Sequence, residues 1–271
     1  VEARDDEAID NMDQALDRAV ANGVKNLVVQ PTHLMHGAEY DEMVEVIDNY
    51  KDKFESVAIA EPMLGEVGDD ATVINDDKKA VAQAITDEAC KVAGYDSMEA
   101  AAEDGTAFVF MGHGTSHTAN VTYDQMQTQM GDLGFTNAFI GTVEGEPEDT
   151  ACEEVIAKVK DAGFKKVVLR PLMVVAGDHA NNDMAGDDED SWKSQFEASG
   201  AFDSVDCQIE GLGRVAAVED LYVAHTKDAI DSLGTADDAA EVTDDTEEAS
   251  DDAAAEETTD DAADTTEEAA E

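Results

Sequence analysis

The chain repeats one short pattern, and this repeat constrains the fold more than any other feature of the sequence. The segment Gly23-Val-Lys-Asn-Leu-Val-Val-Gln-Pro31 returns as Gly163-Phe-Lys-Lys-Val-Val-Leu-Arg-Pro171. Each copy has a glycine that would end a helix, a lysine, a short β-branched strand and a proline that would stop the strand. A looser pair follows, 56–65 against 204–213. The same order of elements at a similar spacing predicts two homologous α/β halves.

Strands and helices are expected to alternate along the chain. The predicted strands are 26–30, 57–61, 107–111, 137–141, 166–170 and 204–209, and the predicted helices are 7–21, 39–53, 76–93, 150–161 and 214–232. Thr150-x-x-Glu153 resembles a capping box at the start of one of these helices. The alternation predicts an α/β fold with two pseudo-symmetric domains, each a parallel sheet flanked by helices.

The expected domains are an N-terminal half at 1–104, a C-terminal half at 105–233 and an acidic tail at 234–271. The C-terminal half opens with a strand well before its glycine-lysine copy, whereas only 22 residues stand before Gly23. By the logic of the repeat, the N-terminal half is therefore expected to lack its first strand, with roughly 35–40 residues absent from its beginning.

Acidic residues dominate the composition, with a formal net charge of −50. The tail alone holds 17 acidic residues and no basic or aromatic residue. A segment of this kind cannot bury enough apolar surface to offset its ordering entropy, so it is predicted to be disordered. The remaining chain is also acidic, which argues against nucleic acid as a partner. Adaptation to salt would explain this acidity without a functional role.

The cysteines and the lengths of the apolar runs indicate where in the cell the protein is expected. Cys90, Cys152 and Cys207 are far apart and form no C-x-x-C, which indicates neither a disulfide framework nor a thiolate zinc site. No apolar run approaches the ~20 residues of a membrane span. A cytoplasmic location is expected. An exported form stays open, because the chain begins at Val1 and a signal peptide would not be visible.

Three candidate metal ligands each follow a predicted strand of the C-terminal half. They are His113, Glu144 and His179. In open parallel sheets, ligands bind beyond the carboxyl ends of the strands, and imidazole with carboxylate suits a borderline divalent ion. A single loop histidine is more often solvated or a helix cap, so the spacing alone leaves the metal site and this plainer interpretation about equally supported.

The other histidines and motifs give weaker indications of function. His117 could share a helix face with His113 and favours an indirect or substrate contact, whereas His36 is expected in a surface loop and His225 in the core. His33 follows the equivalent strand of the first half. The chain has no phosphate-binding G-x-x-x-x-G-K-[ST] pattern, calcium loop or nucleophile elbow. Trp192 and Phe196 would cap the core or pack on a flat ligand.

Longer phrases of sequence surround these candidates. They are Val28-Val-Gln-Pro-Thr-His33, Phe110-Met-Gly-His-Gly-Thr115, Gly141-Thr-Val-Glu-Gly145, Pro171-Leu-Met-Val-Val-Ala-Gly-Asp-His179 and Ser191-Trp-Lys193. In these phrases, over about residues 1–232, the chain resembles the anaerobic, single-subunit (class II) cobaltochelatases that act on sirohydrochlorin, relatives of ferrochelatase. The resemblance implies two α/β domains with a cleft between them, and it implies that His113, Glu144 and His179 are the metal-binding and catalytic residues. The acidic tail is not part of the family pattern.

The function implied is ATP-independent insertion of Co²⁺ into sirohydrochlorin, a step of anaerobic cobalamin biosynthesis. No cofactor is expected beyond the substrate metal, which could also be Ni²⁺ or Fe²⁺. His113 would serve as ligand and base, since imidazole both binds metals and accepts protons near neutral pH. Arg170 and Lys193 are the candidate partners for the carboxylates of the tetrapyrrole. The expected partners are the tetrapyrrole and the metal, and a homo-oligomer stays open. The rival interpretations are an extracytoplasmic carrier of haem or another metal-tetrapyrrole and, more weakly, a metal-dependent hydrolase.

Overall fold

Strands alternate with helices throughout the computed structural model, which describes residues 9–241 and the side chains as far as residue 233. The strands are β1 (Asn26–Val29), β2 (Ser56–Ile59), β3 (Thr106–Gly112), β4 (Ala138–Thr142), β5 (Lys166–Pro171) and β6 (Ser204–Cys207). The helices are α1 (Met12–Ala21), α2 (Ala38–Asp48), α3 (Asp76–Ala93), α4 (Met98–Glu103), α5 (Val121–Asp132), α6 (Cys152–Asp161), α7 (Trp192–Ala198) and α8 (Ala216–Glu241). None of the described helices is both long and apolar enough to cross a bilayer.

Within the described residues, the strands form two parallel sheets, so the predicted α/β class is confirmed. One sheet pairs β1 with β2, and the other has the order β4-β3-β5-β6. The register reproduces the sequence repeat: Asn26 pairs with Ser56 in the first sheet, and Lys166 pairs with Ser204 in the second. Gly23 and Gly163 follow α1 and α6 with φ of 74° and 89°, a backbone conformation that favours glycine.

The second sheet is buried on both faces. Successive side chains of a strand point to opposite faces, and β3 alternates between two clusters accordingly. Phe108 and Phe110 pack with Met35, Met63 and other apolar residues from the first half of the chain. Residues 107, 109 and 111 pack instead against α6 and α7 in a second cluster. The first cluster therefore draws side chains from both halves.

Helix α8 comes from the end of the described chain and returns to the first half. The Tyr222 hydroxyl donates to the His33 carbonyl at 3.0 Å, and the Thr226 hydroxyl donates to Gln30 Oε1 at 2.7 Å. His225 is buried, as predicted, and its ring bonds the Glu61 carbonyl and the Asp77 carboxylate. These bonds hold the loop after β1, which contains His33. Of the tail predicted to be disordered, residues 234–241 instead continue α8, and residues 242–271 lie outside the described residues.

The sequence analysis placed two helix starts too early: α1 begins at Met12 and not at residue 7, and α6 begins at Cys152 and not at residue 150. Thr150 and Glu153 do not form the predicted capping box, because α6 begins at Cys152 and its N-cap, Ala151, makes no side-chain bond to it. Thr150 lies instead in a 3₁₀ turn, Glu148–Thr150, where its hydroxyl donates to the Pro147 carbonyl at 2.6 Å. The Thr150 hydroxyl thus bonds Pro147 and Thr142 and not the first amides of α6.

Lys78 is a fully buried lysine in the first turn of α3. Its ammonium donates to the Leu64 and Glu66 carbonyls at 2.9 and 2.6 Å, and so ties the loop after β2 to the helix. Burial lowers the pKa of Lys78 from 10.5 to about 8. The Asn75 side chain donates to the same two carbonyls, so they keep a donor if the lysine is replaced.

We expect the wild type to gain stability relative to Lys78→Met as the pH rises from about 8 to 10.5. In that window the unfolded lysine holds its proton and the folded one has lost it, so the free energy of unfolding rises with pH. The gain is at most about 3 kcal/mol, at 1.4 kcal/mol per pKa unit. Urea unfolding of both proteins at several pH values measures it. A difference between them that stays constant with pH would show that the pKa of Lys78 is not lowered.

Candidate metal centre in the cleft

The carboxyl ends of β3, β4 and β5 and the loop after β1 surround a cleft of about 560 Å³. One wall carries His113, Gly114, Tyr123, Glu144 and Glu146, and the opposite wall carries His33, Met35 and Glu39. The described lining residues include these three glutamates and no lysine or arginine. This cleft attracts cations, because its charged side chains are carboxylates.

The structure places two of the three predicted ligands in contact. The rings of His113 and His179 lie 4.6 Å apart between centroids at an interplanar angle of 83°. An ion bonded to both rings would hold their centroids about 5 Å apart, since metal–imidazole bonds are about 2.1 Å long. The two strands that precede them, β3 and β5, are neighbours in the sheet. The observed distance is close to the one that two imidazole ligands of a single ion would have.

The hydrogen bonds of the two rings define which nitrogen is free. His113 Nδ1 lies 2.9 Å from the Gly114 carbonyl, and His179 Nδ1 lies 2.5 Å from Asp183 Oδ2. A carbonyl and a carboxylate only accept hydrogen bonds, so Nδ1 carries the proton in each neutral ring. The lone pair then sits on Nε2 of both histidines, which is the atom that a metal or an incoming proton would meet.

The turn that presents His113 depends on close packing. Gly114 has a φ of 93°, and a Cβ on it would lie 2.9 Å from the Glu144 Cβ, so a side chain there would be strained and crowded. The Gly114 amide donates to the buried Tyr123 hydroxyl at 3.0 Å. The Glu144 amide donates to the His113 carbonyl at 2.9 Å. These contacts place Glu144 beside the histidine turn.

Glu144 does not complete a closed site. Its side chain is exposed and lines the cleft with His113, but within residues 9–233 no group of three His, Cys, Asp or Glu side chains is arranged to hold a metal ion. The structure thus brings His113 and His179 together and places Glu144 nearby. That all three bind the metal stays a prediction.

Three further titratable residues line the cleft, and two of them, Glu39 and Glu146, were not proposed as site residues from the sequence. Glu39 in the first turn of α2 lines the cleft, as does Glu146 after β4. His33 lines it too, and its Nδ1 is buried without a hydrogen-bond partner. Glu146 stands two residues after Glu144, and this proximity was the only signal for it. Glu39 could be identified only from the structure, which places α2 across the cleft.

Two histidines outside the cleft differ from their predicted roles. His36 is half-buried instead of lying in an open loop: its Nε2 is 2.7 Å from Glu61 Oε2, and this bond is the largest cause of the lowered pKa of Glu61. His117 accepts from the Ala119 amide at 3.1 Å and its Nε2 is 3.2 Å from Asp41 Oδ2. His117 thus has a capping role, the alternative to the substrate contact predicted for it.

The basic residues proposed for the substrate carboxylates do not face the cleft. Arg170 is fully buried and donates to Gln208 Oε1 at 2.7 Å, because its neighbours across the sheet are polar residues after β6. Lys193 lies 3.6 Å from Asp187. Trp192 and Phe196 are also buried, where they stack on each other with ring centroids 6.1 Å apart. The assignment of Arg170 was therefore wrong, and both aromatic residues belong to the core.

The fold and the histidine pair define the class: an α/β protein that has, within its described residues, two parallel sheets and two adjacent histidines after neighbouring strands. The structure of SirB from Bacillus subtilis with Fe³⁺ shares this fold, with a TM-score of 0.55 at 15% identity over 84% of this chain and 81% of that one. The chain belongs to the cobalt chelatase (CbiK) family, whose model matches residues 1–231. The family resemblance predicted from the sequence is confirmed.

Two relatives with assigned activities support this membership. The sirohydrochlorin cobaltochelatase of Salmonella typhimurium (strain LT2) is 32% identical over 228 residues, which cover 84% of this chain and 77% of that protein. The sirohydrochlorin cobaltochelatase CbiKC of Nitratidesulfovibrio vulgaris (strain Hildenborough) is 28% identical over 228 residues, 83% of this chain and 72% of that protein. Both alignments extend over most of the described chain.

Proposed function

We propose that this protein inserts Co²⁺ into sirohydrochlorin without ATP. The observation that carries the proposal is the pair of imidazoles 4.6 Å apart, each bonded through Nδ1, of which His113 lines a cleft that holds three glutamates. Membership in the cobalt chelatase family and the names of its two relatives support the metal and the macrocycle.

The chemistry exchanges one ion for two protons. Insertion forms bonds from Co²⁺ to the macrocycle nitrogens, and two pyrrole N–H protons leave. His113 and His179 hold the ion through Nε2, and each Nε2 is free to accept one proton when the ion departs. The site loses a charge of +2 and gains the same charge, so the exchange avoids leaving an uncompensated charge in the cleft. Glu144, beside the His113 turn, supplies an oxygen ligand and negative charge.

The proposal also covers the organisation and location of the chain. The two walls of the cleft come from residues 1–104 and 105–233, which supports a division into two halves that share one site. The cysteines Cys90, Cys152 and Cys207 are all free thiols, which supports action in the cytoplasm, where thiols stay reduced.

An anaerobic insertion assay tests the function. Sirohydrochlorin and Co²⁺ in excess over the protein, without ATP, are followed by the absorbance of the macrocycle. We expect many turnovers per protein molecule at a rate far above the reaction without protein. A signal that stops at one macrocycle per protein would instead identify a carrier, and the proposed activity would be wrong.

A further inference from the structure

The adjacent histidines His113 and His179 are bonded to partners of different charge. His113 Nδ1 donates to the neutral Gly114 carbonyl at 2.9 Å, whereas His179 Nδ1 donates to the Asp183 carboxylate at 2.5 Å. A hydrogen bond to a carboxylate is shorter and about twice as strong as one between neutral groups. The two rings therefore differ as ligands, although both present Nε2.

The local backbone fixes Asp183 next to His179. Both lie in a short π-helical segment, His179–Met184, in which Ala180 and Met184 are fully buried. The Gly186 amide donates to the Asn182 carbonyl at 3.0 Å, and the Asn181 side chain donates to the Gly177 carbonyl at 2.7 Å. The segment is thus anchored by its own contacts, and the carboxylate is in position before any ion binds.

Asp183 bonds the Nδ1 side of His179, away from the Nε2 that would hold the cation. Neither residue is among those that line the cleft of His113, and Asp183 lines a separate cavity of about 360 Å³, together with Glu144. The effect of Asp183 on the reaction would pass through the ring of His179.

We propose that Asp183 is a positioning residue that makes His179 the principal holder of the substrate cation. The carboxylate fixes the tautomer and the orientation of the ring and increases the electron density on Nε2. Such outer partners of metal-binding histidines typically contribute 10- to 100-fold in metal affinity. This inference rests on the proposed function in one respect, since it takes His179 as a ligand of the inserted cation.

Cobalt binding without tetrapyrrole tests the proposal independently of turnover. Wild type, Asp183→Ala, Asp183→Asn and the control Asp187→Asn are titrated with Co²⁺ in competition with a chromophoric chelator. Asp187 lies in the same acidic loop with a side chain that is 100% exposed, so its variant removes an equal charge without touching His179. We expect Asp183→Ala to raise the Kd about 10- to 100-fold, Asp183→Asn to raise it less, and Asp187→Asn to leave it within twofold.

Steady-state insertion supplies a second readout that a merely structural role would not produce. The KM for Co²⁺ should rise in Asp183→Ala in parallel with the Kd, while kcat at saturating Co²⁺ falls far less. Asp183→Asn keeps an oxygen that accepts from Nδ1, so it should recover part of the affinity, and it replaces the alanine variant if that protein does not fold.

The outcomes separate this proposal from the proposed function. If Asp183→Ala and Asp187→Asn bind Co²⁺ alike, or if wild type binds it no better than Asp183→Ala, Asp183 has no positioning role. If the Kd values differ as expected but no variant inserts cobalt, the positioning role stands and the insertion activity is wrong.

Discussion

Replacing both His113 and His179 by alanine is expected to lower the rate of cobalt insertion about 1,000-fold. The change removes both Nε2 atoms of a pair of rings whose centroids lie 4.6 Å apart. General base catalysis alone contributes about 10²- to 10⁴-fold in rate, and the loss of two metal ligands adds to that. Each single variant should show most of the loss, since two ligands of one ion act as a unit.

The control for this experiment is His36→Ala. His36 is a half-buried histidine bonded to Glu61 and does not line the cleft, so its variant should insert cobalt within about threefold of the wild-type rate. Thermal unfolding without metal establishes that all variants are folded. Insertion at near wild-type rates by the folded double variant would show that the chemistry does not occur at this pair.

The largest expected loss of stability concerns the contact between β4 and α7. Trp192 is buried, and a Cβ on Gly141 would lie 2.3 Å from the far edge of its indole ring. Trp192→Ala should lower the free energy of unfolding by about 3–5 kcal/mol through the cavity that it creates. Gly141→Ala should lower it by about 1–3 kcal/mol, because the added methyl group forces the ring and the helix away from the sheet.

The double variant tests whether the two losses of stability come from one shared contact or arise independently. In the Trp192→Ala background the methyl group of Gly141→Ala enters space that the ring has vacated, so the two losses should sum to more than the loss in the double variant. Gly131→Ala is the matched control: Gly131 lies within α5 and a Cβ there meets nothing within 4 Å, so this change should be neutral or slightly stabilising. Denaturant unfolding measures all four proteins. Additive losses would show that Gly141 and Trp192 do not crowd each other.

The strands were predictable from the sequence because most are short apolar runs with β-branched or aromatic residues that end at a glycine, a proline or a polar loop. Their observed limits lie within two residues of the predicted ones. Strands β3 and β5 are neighbours, so the loops that follow them lie side by side. This agrees with the rule that ligands bind at the carboxyl ends of parallel strands.

Helix α5 was not predicted, and its burial explains why. The side that faces the interior includes Thr122, Gln125 and Gln129, and these polar residues hide the apolar period that indicates a helix. Gln125 is buried because its amide donates to the Asp70 carbonyl at 2.9 Å, across the two halves of the chain. A contact of this kind depends on the tertiary structure, which a local pattern does not encode.

Only the part of the candidate site that follows directly from strand ends could be predicted from the sequence. His113 and His179 follow strands, and strand ends can be located from sequence. Asp183 could not be assigned from the sequence, because its position depends on a π-helical turn that the acidic stretch around it does not indicate. Glu39 could not be assigned either, because it lies on the opposite wall of the cleft. Arg170 was misassigned because an arginine in a strand beside a loop resembles a substrate partner, and only the position of Gln208 shows that it points away.

The carboxylates of the cleft wall exert opposite long-range forces on the two reactants that must meet there. They attract a dication and repel a macrocycle that itself carries many carboxylates. Both forces decay with the Debye length, about 10 Å in 0.1 M salt and about 3 Å in 1 M salt. Bonds from nitrogen to metal act at contact distance and are screened far less. Dissolved salt is therefore expected to speed the arrival of the macrocycle more than it weakens metal binding.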